Sequence, residues 1–179
     1  MSKAYVTSCN REISSLKPIA QKAAKLFLDE CKKQGVKIFV TEYHRSQERQ
    51  DYLYEQGRTR PGNIVTWTRQ SNHTSGYAWD IACDPPQNLY DEKVIAKAGA
   101  IAKKLNIEWG GDWKQKDTPH FQVNANWTAP KQVDKTYEKA VQTLIDKHII
   151  GSGDLWLNDA FTKDNVHSLV IKMANHLNQ

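Results

Sequence analysis

The stretch SNHTSGYAWDIACD, residues 71 to 84, places an imidazole at His73 and a carboxylate at Asp80, with Gly76 between them. A second stretch, KDTPHFQ, residues 116 to 122, places His120 after Pro119 and Asp117 three residues before that histidine. Either stretch alone is weak evidence, because a single histidine is more often a surface or hydrogen-bonded residue than a ligand. Together they offer imidazole, carboxylate, imidazole and one spare carboxylate. A catalytic zinc needs three N/O ligands, an open position for water and a nearby group that moves protons. Two neutral imidazoles and one carboxylate leave a divalent ion with net positive charge, which acidifies water and polarises a carbonyl. Ligation by two nitrogens and one oxygen favours zinc over harder divalent ions.

These residues must be held by elements, and hydrophobic spacing places the elements. Leu16, Ile19, Ala23, Phe27 and Cys31 recur at helical intervals, which predicts a helix from Leu16 to Lys33 with Pro18 in its first turn and Gly35 as its stop. VKIFVTEY, residues 36 to 43, reads as a strand, and Gln47 to Gln56 as a helix ending before Gly57. RTRPGN, residues 58 to 63, reads as an exposed loop. IVTWT and GYAWDIA read as strands, the second with Tyr77, Trp79 and Ile81 on one face. Asp91 to Leu105 has the pattern of a helix, followed by short strands at IEWGG and HFQV. This order predicts an α+β fold, an antiparallel sheet with helices on one side, that carries His73, Asp80 and His120 on adjacent strands.

Past about Ala129 the pattern changes. Tyr137, Ala140, Val141, Leu144 and Ile145 make one helical face, and Val166, Leu169, Val170, Met173 and Leu177 make another. We therefore divide the chain into residues 1–128, the domain with the chemistry, and residues 129–179, a small helical module. The alternative is that the module continues the main core, because about 45 residues are marginal for folding alone.

The composition sets limits. The 179 residues are 39% hydrophobic and carry a net charge of +5, and no apolar run reaches the roughly 20 residues that span a bilayer. Membrane insertion is not expected. Three cysteines without CxxC spacing argue against a disulfide framework and a thiolate zinc site. The positive charge favours polyanions, but Lys and Arg are scattered, so specific nucleic-acid binding is not expected either. The N-terminus has no apolar signal-peptide centre, which suggests a protein left in the cytoplasm until something releases it. Nothing in the sequence fixes the oligomeric state.

SNHTSGYAWD resembles the SxHxxGxAxD motif of the LAS metallopeptidases, and DTPH resembles their second motif. That group comprises D-alanyl-D-alanine carboxypeptidases, vancomycin-resistance D,D-dipeptidases and phage L-alanyl-D-glutamate endopeptidases. TEYHRSQERQDYLYEQGRT, residues 41 to 59, and WGGDW, residues 109 to 113, are similar to two further family segments. The resemblance runs from about residue 14 to residue 123, and the blocks look most like the phage endolysin and Bacillus-type L-alanyl-D-glutamate endopeptidases.

The resemblance implies that His73, Asp80 and His120 bind one zinc ion and that Asp117 is the general base and acid. It implies that Arg45 stabilises the oxygen of the tetrahedral intermediate, that Ser71 holds the substrate peptide and that Gln50 faces the cleft. The chain departs from the family at His44, where a tyrosine is usual. Residue reading alone leaves Asp112 as a rival base and Arg45 as a rival surface partner of Glu42 or Glu48. The implied substrate is bacterial peptidoglycan, cut at the L-Ala–D-Glu bond, with residues 129–179 binding the wall. A D,D-carboxypeptidase or dipeptidase of the same fold and a non-catalytic zinc-binding module are the competing readings.

Overall fold

The computed structural model describes residues 4–85, 88–130 and 135–177. Two compact units divide the chain, Met1–Pro130 and Lys131–Gln179. The first unit contains α1 (Ala4–Thr7), α2 (Pro18–Lys33), β1 (Ile38–Glu42), α3 (Gln47–Glu55), β2 (Ala78–Cys83), α4 (Glu92–Lys104), β3 (Glu108–Trp109) and β4 (His120–Gln122). The four strands form an antiparallel sheet in the order β1-β2-β4-β3.

Local chemistry sets the helix ends. Pro18 begins α2, where its missing N–H costs no helical hydrogen bond, and Lys32 and Lys33 lie at the negative end of the dipole. Asp91 caps α4 by accepting from the N–H groups of Lys93 and Val94. Ser46 caps α3 by accepting from the N–H of Arg49.

Helices α2 and α4 contact each other, and α4 contacts β2 and β3. Their apolar stripes meet Trp79, Ile81 and Phe121 of the sheet in one buried core. Phe27 of α2 lies 4.7 Å, centroid to centroid, from Phe121. Side chains alternate across a strand, so the residues between these core positions point to the opposite sheet face. On that face Glu42 pairs with Asp80, and Asp80 pairs with His120. Directly opposed residues share a face, so the three form one row across β1, β2 and β4.

Two expectations need correction. IVTWT is not a strand: residues 64–68 form an irregular segment with Ile64, Val65 and Trp67 exposed. Among the described residues no neighbouring strand supplies a ladder for it, and alternation alone cannot distinguish such a segment from a strand. His73 is also not on a strand but in the turn at residues 72–76, which leads into β2. Gly76 closes that turn at φ +75°, a left-handed conformation that glycine adopts without strain.

The second unit contains α5 (Lys135–Asp146), α6 (Asp154–Leu157) and α7 (Lys163–Leu177). Its core is Val141, Ile149 and Ile150, with Leu144, Ile145, Trp156, Leu157 and Leu169 packed against it. The expected apolar stripe on α7 is only partly used, since Val166, Val170, Met173 and Leu177 remain exposed.

Candidate metal centre

Asp80 and His120 reach the site as cross-strand partners, and His73 reaches it from its turn. One ligand atom of each lies within 4.8 Å of the other two. Nε2 of His73 is 3.1 Å from Oδ1 of Asp80 and 3.2 Å from Nδ1 of His120. Nδ1 of His120 is 3.2 Å from the same Asp80 oxygen.

The hydrogen bonds behind each imidazole assign the protons. Nδ1 of His73 lies 2.6 Å from the carbonyl oxygen of Tyr43, which can only accept, so the ring donates from Nδ1 and Nε2 carries a lone pair. For His120 the proton is set through Gln122 and Glu108. Gln122 donates from Nε2 to the carboxylate of Glu108 at 2.8 Å, which turns its Oε1 toward His120. Nε2 of His120 donates to that oxygen at 3.0 Å, so Nδ1 carries the lone pair. Asn72 donates to the same Gln122 oxygen at 2.7 Å, and Trp113 donates from Nε1 to Glu108 at 2.7 Å.

Two nitrogen lone pairs and a carboxylate oxygen therefore face one point. Without a cation they repel, and with a divalent ion they become three ligands oriented by hydrogen bonds from behind. The residues fit a metal ion. Burial alone would raise the Asp80 pKa, but the charges and hydrogen bonds of His73 and His120 outweigh it and hold the carboxyl well below the usual range. Burial lowers the His120 pKa, but in the metal-free protein a proton on Nδ1 can take the cation's place and donate to Asp80, and that hydrogen bond with the Asp80 charge raises it.

Behind Asp80 lies a buried charge network. Arg45 donates from Nη2 to Oδ2 of Asp80 at 3.3 Å and to Glu42 at 2.6 Å. It also donates from Nε to Glu42 at 3.0 Å and from Nη1 to Oε1 of Gln50 at 2.8 Å. Glu42, only 4% exposed, also accepts from Nε of Arg49 at 2.5 Å. Of the two residue-based readings of Arg45, the pairing with Glu42 is present, but it is buried. Glu42 is the member of this group that sequence reasoning passed over as a site residue; its signal is the spacing of Glu42, Arg45 and Arg49.

A cleft of about 810 Å³ opens over this row, lined by Arg45, Ser71, His73, Asp80, Asp117 and His120 among others. Asp117 stands at its rim on the loop before β4. Burial raises its pKa and the negative charge of Asp80 adds to that, against opposing pulls from His120, His73 and Arg45. Asp112 sits elsewhere, in an exposed ion pair with Lys103 at 3.2 Å. Ser71 lines the cleft, and its Oγ also accepts from the N–H of His73 at 3.3 Å, bracing the turn. Gln50 does not face the cleft. It is wholly buried, with its amide spent on Arg45, on Oγ1 of Thr66 and on the carbonyl of Thr68. Helical position without packing information could not show which way it turns.

WGGDW supports the Asp117 loop from beneath. The Trp109 ring sits so close to Gly99 and Gly111 that a Cβ at either would collide with it. Its Nε1 donates to the carbonyl of Thr118 at 2.7 Å. Gly110 lets the loop pass close, since a Cβ there would collide with the Asp117 carbonyl.

A family model described as D-alanyl-D-alanine carboxypeptidase matches residues 65–123. The peptidoglycan L-alanyl-D-glutamate endopeptidase CwlK of Bacillus subtilis is 38% identical over 129 residues, covering 63% of this chain and 76% of that protein. The L-alanyl-D-glutamate peptidase of a Listeria phage is 28% identical over 129 residues, covering 69% of this chain and 43% of that enzyme. Among solved structures, the Serratia marcescens L-Ala D-Glu endopeptidase ChiX superposes with a TM-score of 0.51 at 23% identity, over 66% of this chain and 88% of that one. That likeness bears out the expected α+β fold, and the Bacillus relative bears out the expected family. The chain belongs to the D-alanyl-D-alanine carboxypeptidase family of LAS-type peptidases.

Proposed function

We propose that this protein is a zinc-dependent endopeptidase that hydrolyses the L-Ala–D-Glu bond of peptidoglycan stem peptides. The observation that carries the reading is the convergence of His73 Nε2, Asp80 Oδ1 and His120 Nδ1 in one cleft with Asp117. The names of the Bacillus and phage relatives support the choice of bond.

When bound, zinc supplies Lewis acidity that polarises the scissile carbonyl and acidifies water. Asp117 takes a proton from the attacking water and returns one to the leaving amine. Its pKa is raised above the ordinary carboxylate value, which makes the carboxyl a better proton acceptor for the first half of that task. Arg45 spends its donors on Glu42, Gln50 and Asp80, which supports a role in holding Asp80 and in keeping positive potential over the cleft. Ser71 braces the His73 turn and presents a polar group to the peptide.

We read residues 129–179 as a wall-binding module. Lys and acidic residues balance at six each across residues 131–179, so the net charge of +5 belongs to the catalytic unit. Attraction to anionic wall polymers then acts on that unit, and the module would recognise the wall through uncharged contacts. The chain would act on the wall after release from the cytoplasm, and no helix among the described residues is long and apolar enough to cross a membrane.

The test is digestion of purified peptidoglycan with mass spectrometry of the fragments. New N-termini at D-Glu are expected, and activity is expected to vanish with a chelator and return with zinc. New N-termini at D-Ala, or release of terminal D-Ala, would identify a D,D-peptidase instead.

A further inference from the structure

Trp67 is 64% exposed, and its neighbour Val65 is 54% exposed. Val65, Thr66 and Thr68 line the cleft that holds His73, Asp80 and His120, so the segment carrying Trp67 is continuous with the cleft wall. The exposure is not slack. Gln50 donates to the Thr68 carbonyl at 2.5 Å and to Oγ1 of Thr66 at 3.2 Å from inside the fold. Arg58 donates to the Thr66 carbonyl at 3.2 Å, and Gly57 turns at φ +74° with no room for a Cβ beside Ile64. Arg58 also lies 3.9 Å from the Tyr54 ring centroid and 5.8 Å from that of Trp67. An indole carried outward on a fastened segment, near a guanidinium and next to residues of a cleft wall, suits a ligand with an apolar face and polar edges.

The proposed substrate supplies such a ligand at the required place. In a peptidoglycan stem, the amine of L-Ala is bonded to the lactyl group of an N-acetylated amino sugar. The scissile carbonyl belongs to that same L-Ala, so one residue, about 3.5 Å of chain, plus the lactyl group separates the sugar from the bond. A tether that short keeps the sugar within reach of the cleft wall, which residues 65, 66 and 68 line on either side of Trp67. We propose that Trp67 is a saccharide platform, stacking on the C–H face of the amino-sugar ring that bears the stem peptide, with Arg58 donating to the ring's polar substituents. This inference rests on the reading of the protein as an L-Ala–D-Glu endopeptidase.

The test compares two substrates that share the scissile bond: a disaccharide muropeptide and the same stem peptide without sugar. In Trp67→Ala, the ratio of kcat/KM for the muropeptide to that for the bare peptide is expected to fall about tenfold, mainly through KM, the scale of losing one aromatic contact. Trp67→Phe is expected to restore most of the ratio. An unchanged ratio in Trp67→Ala, or an equal loss on both substrates, would overturn the platform while leaving the endopeptidase reading intact. A wild-type protein that cleaves neither substrate would overturn both.

Discussion

Arg45 and Asp80 are joined by a 3.3 Å contact from Nη2 to Oδ2, while the other oxygen of the same carboxylate faces both imidazoles. Asp80 is thus gripped from behind by a cation and offers its free edge to the metal position. Its orientation does not depend on the metal alone.

That grip depends on Glu42, whose one carboxylate accepts from both Arg45 and Arg49. Glu42→Gln leaves buried Arg49 without a carboxylate partner among the described residues and Arg45 with Asp80 as its one remaining carboxylate. Removing one member of a buried ion pair costs about 3–5 kcal/mol, and we expect a loss of this order in urea unfolding, with a drop in zinc affinity measured by competition with a chromogenic chelator.

Gln122 sets the His120 proton through Glu108. Gln122→Leu removes the acceptor behind Nε2 and releases the tautomer. Loss of such an outer partner costs about 10- to 100-fold in metal affinity or activity. Atomic absorption after dialysis is expected to show close to one zinc per wild-type chain and a clearly lower content in the variant.

The raised pKa of Asp117 makes a signed prediction. As a base it must be ionised, so kcat/KM of the zinc-loaded enzyme falls as pH drops through its pKa, and in the metal-free protein burial with the Asp80 charge raises that pKa. Bound zinc opposes the upward shift, so carboxyl NMR titration is expected to show Asp117 moving down on metal addition. Asp117→Asn is expected to lower kcat about 10²- to 10⁴-fold without abolishing zinc binding.

Thiol chemistry checks the core. Cys31 and Cys83 are buried, and burial, with Glu30 adding to it, pushes the Cys31 thiol up to about 12. Cys9 is exposed. Ellman's reagent is expected to titrate one thiol quickly in the native protein and all three after denaturation; three fast thiols would contradict the packing of α2 and β2.

Gly110→Ala is expected to destabilise by about 1–3 kcal/mol, because the added methyl forces the Asp117 loop outward. The loss of activity is expected to exceed what the shift in Tm explains, since His120 follows that loop.

Much of this could be read in the sequence, for identifiable reasons. Helices α2 and α4 showed themselves because one buried face imposes a 3.6-residue rhythm on Ala23, Phe27 and Cys31, or on Ile95, Ala98 and Ala102. The residues of the metal centre showed themselves because their residue types are chemically rare in combination. Orientation was harder to read. His73 came from a turn because Gly76 reverses the chain, and a strand-like pattern downstream concealed that. Residues 64–68 alternate like a strand, yet their apolar members face water. The pairing of Arg45 with Glu42 read as a surface contact because spacing shows which charges can meet and not how deep they lie.

The amide of Gln50 ends this chain of support in both directions: its oxygen accepts from Arg45 and its nitrogen donates to Thr68. An amide is directional, and a glutamate of the same shape would set its negative oxygen against the Thr68 carbonyl. One uncharged side chain therefore works as a gauge block, fixing by its own length the interval between the rim at Thr68 and the floor where Arg45 holds Asp80.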